Sequence, residues 1–215
     1  MLGNPGFGRT TNVAATHASG SLLLVLNPDT ELLDEDALRS FVAAFHDAPP
    51  DCGVYSPMLR TEDGDDRACA RSLPTLRNVA AHYGVPFVRS DNEYSISDLP
   101  PSGLERVGAV NGAFMLMNAA FYNQLGGFDE RFWMYAEDLD PCARVKEAGK
   151  NVYLDIDQEV RHSKGGTTGS VRSPRVAWAF CWSMIQYFSK HERGIGIAPG
   201  SGVNHPTCNT SPRWS

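Results

Sequence analysis

A continuous apolar run near the start of the chain constrains the fold more than any other feature of the sequence. Residues 22–26 are Leu-Leu-Leu-Val-Leu, and Asn27-Pro28-Asp29-Thr30 follows directly. A short run without polar alternation is typical of a strand that is buried on both faces, as in parallel sheets. Pro28 lacks a backbone donor and ends the strand. The run therefore predicts a central strand, with Asp29 just beyond its carboxyl end.

Helical and extended patterns alternate along the rest of the chain. Predicted helices cover residues 11–17, 35–46, 76–83, 118–125, 140–148 and 174–191, and predicted strands cover 21–26, 53–59, 106–117 and 151–156. Asp34, Asn118 and Asp140 are the expected helix caps. This order indicates an α/β fold with a mostly parallel sheet flanked by helices. In such sheets ligands bind beyond the carboxyl ends of the strands, so Asp29 is expected to face the crevice.

Charge and cysteine content exclude several classes of function. The formal net charge of −6 argues against nucleic acid as a partner, because phosphate binding requires a basic surface. The five cysteines are scattered without a C-x-x-C pair, which favours reduced thiols in the cytoplasm over a disulfide framework or a zinc site. No signal peptide is expected, since Met1-Leu2 leads into Gly, Asn and Pro. We expect one domain over residues 1–193 and a flexible tail over 194–215, where Gly, Pro, Asn and Ser dominate.

The stretch over residues 126–140 combines five carboxylates with large apolar side chains. Aromatic side chains require burial, whereas carboxylates require water, a cation or hydrogen-bond donors. A segment that holds both is typical of a cleft wall in which selected acids point at a ligand. An ordinary loop with partly buried rings has the same composition, and the stretch alone does not decide between the two.

Three features from distant parts of the chain are candidates for one site. They are Asp29 after the first strand, Glu137-Asp138 in the aromatic stretch, and His162 after the last strand. Taken singly, each has a simpler interpretation. An aspartate after Asn-Pro is more often a turn former, and a histidine beside Ser163-Lys164-Gly165-Gly166 is more often a surface residue. Their function depends on whether the fold brings them together.

The chain resembles family 2 glycosyltransferases of the GT-A fold, especially the rhamnosyltransferase-like branch. The resemblance runs in the family's order over most of the chain. The motifs that carry it are Asn4-x-Gly6-Phe7-Gly8 with Asn12, Leu26-Asn27-Pro28-Asp29-Thr30, Gly53-Val54 to Pro57 with Asp63-Gly64, Asn111-Gly112-Ala113-Phe114-Met115, Gly126-Gly127-Phe128-Asp129-Glu130-x-Phe132, Tyr135-x-Glu137-Asp138-Leu139-Asp140 with Arg144 and Gly149, His162, and Lys190-His191.

The resemblance implies a role for each candidate residue. Asp138 matches the family's catalytic base, with Glu137 beside it. Asn27 and Asp29 stand where the family binds a divalent cation on the donor diphosphate, and His162 matches a position that completes such a metal site with Mg²⁺ or Mn²⁺. By the same resemblance, Gly112, Ala113 and Trp133 would line the sugar pocket. These residue types suit the chemistry, because hard cations prefer oxygen ligands and a carboxylate can accept the proton of an attacking hydroxyl.

The implied activity is inverting transfer of a sugar from a nucleotide-diphosphate donor to a glycan or lipid-linked acceptor. Rhamnose is the expected sugar, and the expected process is cell-envelope polysaccharide assembly. A cytoplasmic enzyme working at the inner face of a membrane, in peripheral association with it, would suit such an acceptor. The family's first strand–helix–strand units have no counterpart here, so the chain is expected to be an N-terminally truncated, partial GT-A domain.

Two other classes remain open from the sequence. One is a non-catalytic module related to these transferases that serves as a binding surface. The other is a nucleotidyltransferase on a similar sheet, which would require a Gly-rich, basic phosphate loop near its start. No such loop is present in the 215 residues.

Overall fold

The computed structural model describes residues 4–60, 70–82, 99–163 and 174–191, and the side chains of 80–82 and 174–176 are not described. Within these ranges the helices are α1 (Phe7–Ala15), α2 (Ala37–Asp47), α3 (Leu76–His82), α4 (Ala119–Leu125), α5 (Leu139–Glu147) and α6 (Pro174–His191). The strands are β1 (Leu22–Leu26), β2 (Thr30–Glu31), β3 (Cys52–Arg60), β4 (Ala70–Arg71), β5 (Leu104–Val107), β6 (Ala109–Val110), β7 (Phe114–Asn118) and β8 (Asn151–His162). The expected tail over 194–215 lies outside the described residues.

One mixed sheet forms the centre of the described part of the chain. Its strand order is β1-β7-β3-β8-β2, and β5 also pairs with β8. Strands β3 and β8 run parallel, whereas the β1–β7, β3–β7, β5–β8 and β2–β8 pairings are antiparallel. The predicted α/β class is confirmed, but the expected mostly parallel sheet is wrong. Burial of an apolar strand on both faces does not specify the direction of its neighbours.

The core lies where α2, α4 and α5 pack on this sheet. Phe41 of α2 meets Phe114 of β7 edge to face, with ring centroids 5.1 Å apart. Tyr55 and Leu116, which are paired across β3 and β7, are both fully buried. Strand β1 is less enclosed than its sequence predicts, because only Val25 is buried and Leu26 is 39% exposed. Its position at one end of the described strand order explains this difference.

The apolar segment over residues 106–117 forms parts of three strands instead of the single strand predicted. Gly108 interrupts the segment between β5 and β6, and Asn111-Gly112 interrupts it before β7. A Cβ atom at Gly108 would lie 2.5 Å from the backbone nitrogen of Leu73, so only glycine allows this approach. The break lets β6 pair with β4 in a small second sheet. Strand β8, in contrast, continues beyond its predicted end at residue 156 and includes His162.

Two of the three predicted helix caps differ from the structure. Asn118 does cap α4, because its side-chain oxygen accepts from the backbone nitrogens of Ala120 and Phe121. Asp34 instead accepts from the backbone nitrogen of Asp36, ahead of α2. Asp140 lies within the first turn of α5, where its side chain is fully buried. Pro141 suits this turn because it lacks an N–H group, and the first N–H groups of a helix have no partner within the helix. The backbone nitrogen of Asp140 donates to the carbonyl of Ala136 at 3.0 Å.

Helix α6 presents two different apolar faces. Met184, Tyr187 and Phe188 are buried in the core, whereas Trp178, Trp182 and Ile185 are exposed. The rings of Trp178 and Trp182 are stacked, with centroids 6.0 Å apart. Among the helices that the structure describes, none has the length and apolar character that crossing a lipid bilayer requires.

Candidate active site

The sequence-predicted acids and histidine line a single cleft of about 370 Å³. Residues just beyond the carboxyl ends of β1 and β8 line the cleft, together with the segment that leads into α5. The described residues that line it are Asn4, Gly6, Phe7, Asn27, Asp29, Arg71, Asn111, Gly112, Trp133, Met134, Tyr135, Ala136, Glu137, Asp138, Leu139, His162 and Phe180.

Strand pairing brings Asp29 to His162. After β1, the backbone nitrogen of Asn27 donates to the carbonyl of Ala113 at 3.0 Å, and a turn leads into β2. Strand β2 then pairs with the end of β8, with Thr30 opposite His162. The backbone nitrogen of Ser163 donates to the carbonyl of Asp29 at 3.1 Å, which fixes the two segments side by side. Asp29 Oδ1 consequently lies 3.3 Å from His162 Nε2.

These two facing atoms lack hydrogen bonds within the described part of the chain. Their separation is within ion-pair range, but both Asp29 Oδ1 and His162 Nε2 are buried without a hydrogen-bond partner. A buried polar atom without a partner is costly unless a ligand satisfies it. Two ligand atoms each ~2.1 Å from one cation and at right angles to each other would lie about 3 Å apart. The pair therefore fits a divalent cation by distance and by donor type.

The described residues supply only part of a complete coordination sphere here. Among the described residues, no group of three or more His, Cys, Asp or Glu side chains is arranged to hold a metal ion. A cation at Asp29 and His162 would need further oxygen ligands from water or from a substrate. Mg²⁺ and similar hard cations are commonly bound in this way, through one or two carboxylates plus substrate phosphates.

Glu137 and Asp138 lie immediately before α5 and differ in their surroundings. Asp138 is 7% exposed, and its Oδ2 lies 3.4 Å from Arg71 Nη1. Glu137 Oε2 is buried and has no hydrogen-bond partner among the described residues. Burial, followed by the charge of Asp138, raises the pKa of Glu137 to about 8, although Arg71 opposes this shift. Glu137 therefore holds its proton more tightly than an ordinary carboxyl group does.

The backbone that carries this acid pair is in an unusual conformation. Tyr135 and Ala136 have φ values of 65° and 60°, and they are the non-glycine residues of the described chain with positive φ. L-residues pay a steric cost in this left-handed region, and such conformations often occur at functional sites. The two residues turn the chain sharply ahead of Glu137 and Asp138.

The remaining sequence-predicted residues occupy different positions around the cleft. Asn27 and Gly112 line it, and a Cβ atom at Gly112 would lie 3.4 Å from the Cβ of Asp138. Trp133 lines the rim and is 38% exposed, with its indole nitrogen donating to the carbonyl of Asn4 at 3.2 Å. Ala113 is fully buried and does not line the cleft; its carbonyl accepts from Asn27 instead.

Sequence reasoning missed Arg71. It belongs to a stretch without helical or strand periodicity, and no local pattern links it to Asp138, which lies far along the chain. A lone arginine in an irregular segment gives no signal of its own. The only indirect indication is that two adjacent buried acids require a nearby cation.

The chain is similar to sugar-transferring enzymes, although no family model matches it. It is 34% identical over 155 residues to N-acetylglucosaminyl-diphospho-decaprenol L-rhamnosyltransferase of Mycobacterium tuberculosis, covering 68% of this chain and 48% of the relative. It is 25% identical over 169 residues to the rhamnosyltransferase WbbL of Escherichia coli, covering 69% of this chain and 57% of WbbL. The chain thus spans about half the length of these curated relatives.

Solved structures with a similar fold come from the same broad class of enzymes. GalNAc-T7 with UDP, GalNAc and Mn²⁺ matches with a TM-score of 0.55 and 13% identity, covering 87% of this chain and 37% of that one. Mannosyltransferase PcManGT from Pyrobaculum calidifontis, in complex with GDP-Man and Mn²⁺, matches with a TM-score of 0.53 and 18% identity. That match covers 90% of this chain and 45% of PcManGT. At these identities the likeness concerns the fold alone.

Proposed function

Since the chain is a rhamnosyltransferase-like member of the glycosyltransferases with a GT-A fold, we propose that it takes part in inverting sugar transfer from a nucleotide-diphosphate donor to a hydroxyl acceptor. The observation that carries this proposal is the meeting of Asp29 and His162 in the same cleft as Asp138. The Asp29–His162 pair suits a diphosphate-bound cation, and Asp138 offers a carboxylate to an attacking hydroxyl.

Asp29 and His162 are the proposed ligands of a divalent cation, and Asn27 lines the cleft beside them. When bound, Mg²⁺ or Mn²⁺ would neutralise the charge that develops on the departing diphosphate. The imidazole of His162 favours Mn²⁺ somewhat over Mg²⁺. Asp29 Oδ1 and His162 Nε2, which lack hydrogen-bond partners among the described residues, support this assignment because they line a cleft and do not lie in the apolar core.

Asp138 is the proposed general base. An acceptor hydroxyl would attack the anomeric carbon as the bond from that carbon to the diphosphate oxygen breaks, and its proton would pass to the Asp138 carboxylate. A single displacement of this kind inverts the anomeric centre. Glu137 suits a different role, because a neutral carboxyl group can donate a hydrogen bond to a substrate oxygen.

The donor and acceptor are proposed from the relatives and from the cleft wall. Rhamnose from a dTDP donor and a lipid-linked or glycan acceptor follow from the similarity to the mycobacterial and Escherichia coli rhamnosyltransferases. Trp133 offers an apolar ring face at the rim on which a sugar can stack, and Gly112 leaves space beside Asp138. Ala113 would contribute through its backbone, by fixing Asn27 and Thr30 at the cleft.

A lipid-linked acceptor would bring the protein to a membrane surface on the cytoplasmic side. The exposed Trp178, Trp182 and Ile185 on α6 support peripheral association, because tryptophan favours the interface between lipid and water. Phe180 of the same helix lines the cleft, so a surface at α6 would lie near the acceptor site. Flotation with liposomes checks this part of the proposal, and replacement of both tryptophans by serine should reduce the bound fraction.

The proposal is tested first by cation binding, which does not require activity. Electron paramagnetic resonance should detect Mn²⁺ bound to the full chain in the presence of dTDP, and Asp29→Asn and His162→Gln should each weaken it about 10–100-fold. Asp36→Asn serves as the control, since Asp36 is exposed and forms an ion pair with Arg39 outside the cleft. Equal Mn²⁺ binding by all variants would contradict the assigned cation site.

Sugar transfer is tested with dTDP-rhamnose and an N-acetylglucosaminyl-diphospho-polyprenol acceptor. Asp138→Asn should lower kcat about 10²–10⁴-fold with little change in donor affinity. A wild-type chain that binds neither donor nor Mn²⁺ would instead favour the alternative of a non-catalytic binding module. Calorimetry with dTDP-rhamnose and Mn²⁺ separates the two, because an interaction module would produce no heat of binding.

A further inference from the structure

Arg71 stands out among the cleft residues because its charge is opposite to that of its neighbours. Three carboxylic acids line the described part of the cleft, namely Asp29, Glu137 and Asp138, whereas Arg71 is its one arginine and no lysine lines it. Its side chain is 23% exposed, and that of Asp138 is 11% exposed. An ion pair with so little water around it interacts more strongly than a surface pair.

The backbone around Arg71 is held firmly by the small second sheet. Strand β4 pairs with β6 so that Arg71 lies opposite Ala109. A Cβ atom at Gly108 would lie 2.8 Å from the carbonyl oxygen of Arg71, which shows how closely the two backbones approach. Beyond the strand, the buried Asn78 donates to the carbonyl of Leu73 at 3.3 Å. These contacts fix the position of the Arg71 backbone, from which the side chain extends.

The two oxygens of Asp138 consequently have different surroundings. Oδ2 lies 3.4 Å from Arg71 Nη1, whereas Oδ1 has no hydrogen-bond partner among the described residues. A carboxylate held at one oxygen by a guanidinium group cannot rotate freely, so the lone pairs of its other oxygen keep one direction.

We infer that Arg71 is a positioning residue for Asp138, holding Oδ2 so that Oδ1 remains available to the proton of the acceptor hydroxyl. This inference rests on the proposed function of Asp138 as the base. It assigns Arg71 to the chemical step and not to the binding of the donor. Arg71 has no direct part in bond making or breaking.

The first test does not depend on activity. Carboxyl-labelled NMR titration of the free protein should give a higher pKa for Glu137 in Arg71→Gln than in wild type, because the charge of Arg71 opposes the upward shift. Arg39→Gln is the matched control, since Arg39 is 85% exposed and pairs with Asp36 outside the cleft. An unchanged Glu137 titration in Arg71→Gln would overturn the inference, whatever the transferase assay gives.

The second test separates positioning from donor binding. Arg71→Gln should lower kcat for transfer from dTDP-rhamnose about 10–100-fold while the KM for the donor changes less than twofold. Arg71→Lys should recover part of the loss, and added guanidinium ion should raise the rate of Arg71→Ala but not that of wild type. A raised KM with unchanged kcat would overturn the inference, because it would make Arg71 a donor-binding residue.

Discussion

The carboxylate of Asp140 and the imidazole of His191 meet in the interior of the protein, with Oδ1 2.8 Å from Nε2. The Asp140 side chain is fully buried, and the His191 side chain is 8% exposed. Lys190 Nζ lies 2.5 Å from the same oxygen of Asp140 and 2.7 Å from Asp129, while Arg144 binds the other oxygen of Asp140 at 2.8 Å. This charged cluster joins the end of α6 to the first turn of α5, directly after Asp138.

Replacing Asp140 by asparagine should strongly destabilise the fold. The substitution leaves Arg144, Lys190 and His191 without the buried anion that compensates their charges, and breaking such a cluster costs about 3–5 kcal/mol. Urea denaturation followed by circular dichroism measures the free energy of unfolding. Asp36→Asn is the matched control, because its exposed pair with Arg39 contributes less than about 1 kcal/mol. A similar decrease in the free energy of unfolding in both variants would contradict the assigned role of the cluster.

The contribution of His191 to stability should decrease as the pH rises. Burial alone would lower the pKa of His191, but hydrogen bonds to Asp140 and Glu147 outweigh it and raise the pKa above its usual value. Because the pKa of His191 is higher in the folded than in the unfolded protein, the protonated imidazole stabilises the fold. This stabilisation is complete below the unfolded-state pKa of about 6.5, and it is lost as the pH rises through the folded-state pKa. The difference in unfolding free energy between wild type and His191→Gln should therefore be larger at pH 5.5 than at pH 9. An equal difference at both values would exclude a charged His191 in the cluster.

Asn12 connects α1 to the segment before the acid pair, and its amide orientation can be tested. Its nitrogen donates to the carbonyl of Phe128 at 2.9 Å, and its oxygen accepts from the backbone nitrogen of Phe128 and from the Tyr122 hydroxyl. Asn12→Asp keeps the shape but turns an oxygen toward the Phe128 carbonyl, which should cost about 1–3 kcal/mol. Thermal unfolding measures this loss of stability, and Asn123→Asp is the control because Asn123 is exposed on α4. A smaller loss at Asn12 than at Asn123 would contradict this geometry.

The sequence predicts the elements better than their arrangement. Strand β1, helix α6 and the Asn118 cap follow from local patterns, because each depends on residues close together in the chain. Strand direction depends on neighbours far away in sequence, so the antiparallel position of β7 between β1 and β3 could not be derived.

The candidate site shows the same limit. Sequence patterns offer the meeting of Asp29 and His162 only as a hypothesis, because it depends on the pairing of β2 with β8. The burial of Asp140 could not be foreseen either. Arg144 lies one helical turn further along α5, but Lys190 and His191 lie 50 and 51 residues further along the chain, at the end of α6.

Ala136→Gly tests whether the turn before Glu137 and Asp138 is strained. Ala136 has a φ of 60°, where an L-residue is disfavoured by about 1–2 kcal/mol and glycine is not. Relief of this strain offsets two losses, the burial of a methyl group, worth about 0.8 kcal/mol, and the conformational entropy of glycine, which costs about 0.5–1 kcal/mol. The unfolding free energy should therefore change by less than about 1 kcal/mol. Ala43→Gly, at an exposed position within α2, should instead cost about 1 kcal/mol.

The same variant should slow the proposed sugar transfer, because glycine permits conformations of this segment that do not hold Asp138 beside Arg71. We expect kcat to fall several-fold at nearly unchanged stability, measured in parallel by transfer from dTDP-rhamnose and by urea denaturation. A loss of stability as large as that of Ala43→Gly would mean that the left-handed turn carries no strain. Unchanged kcat with unchanged stability would mean that the strained backbone does not position the acid pair.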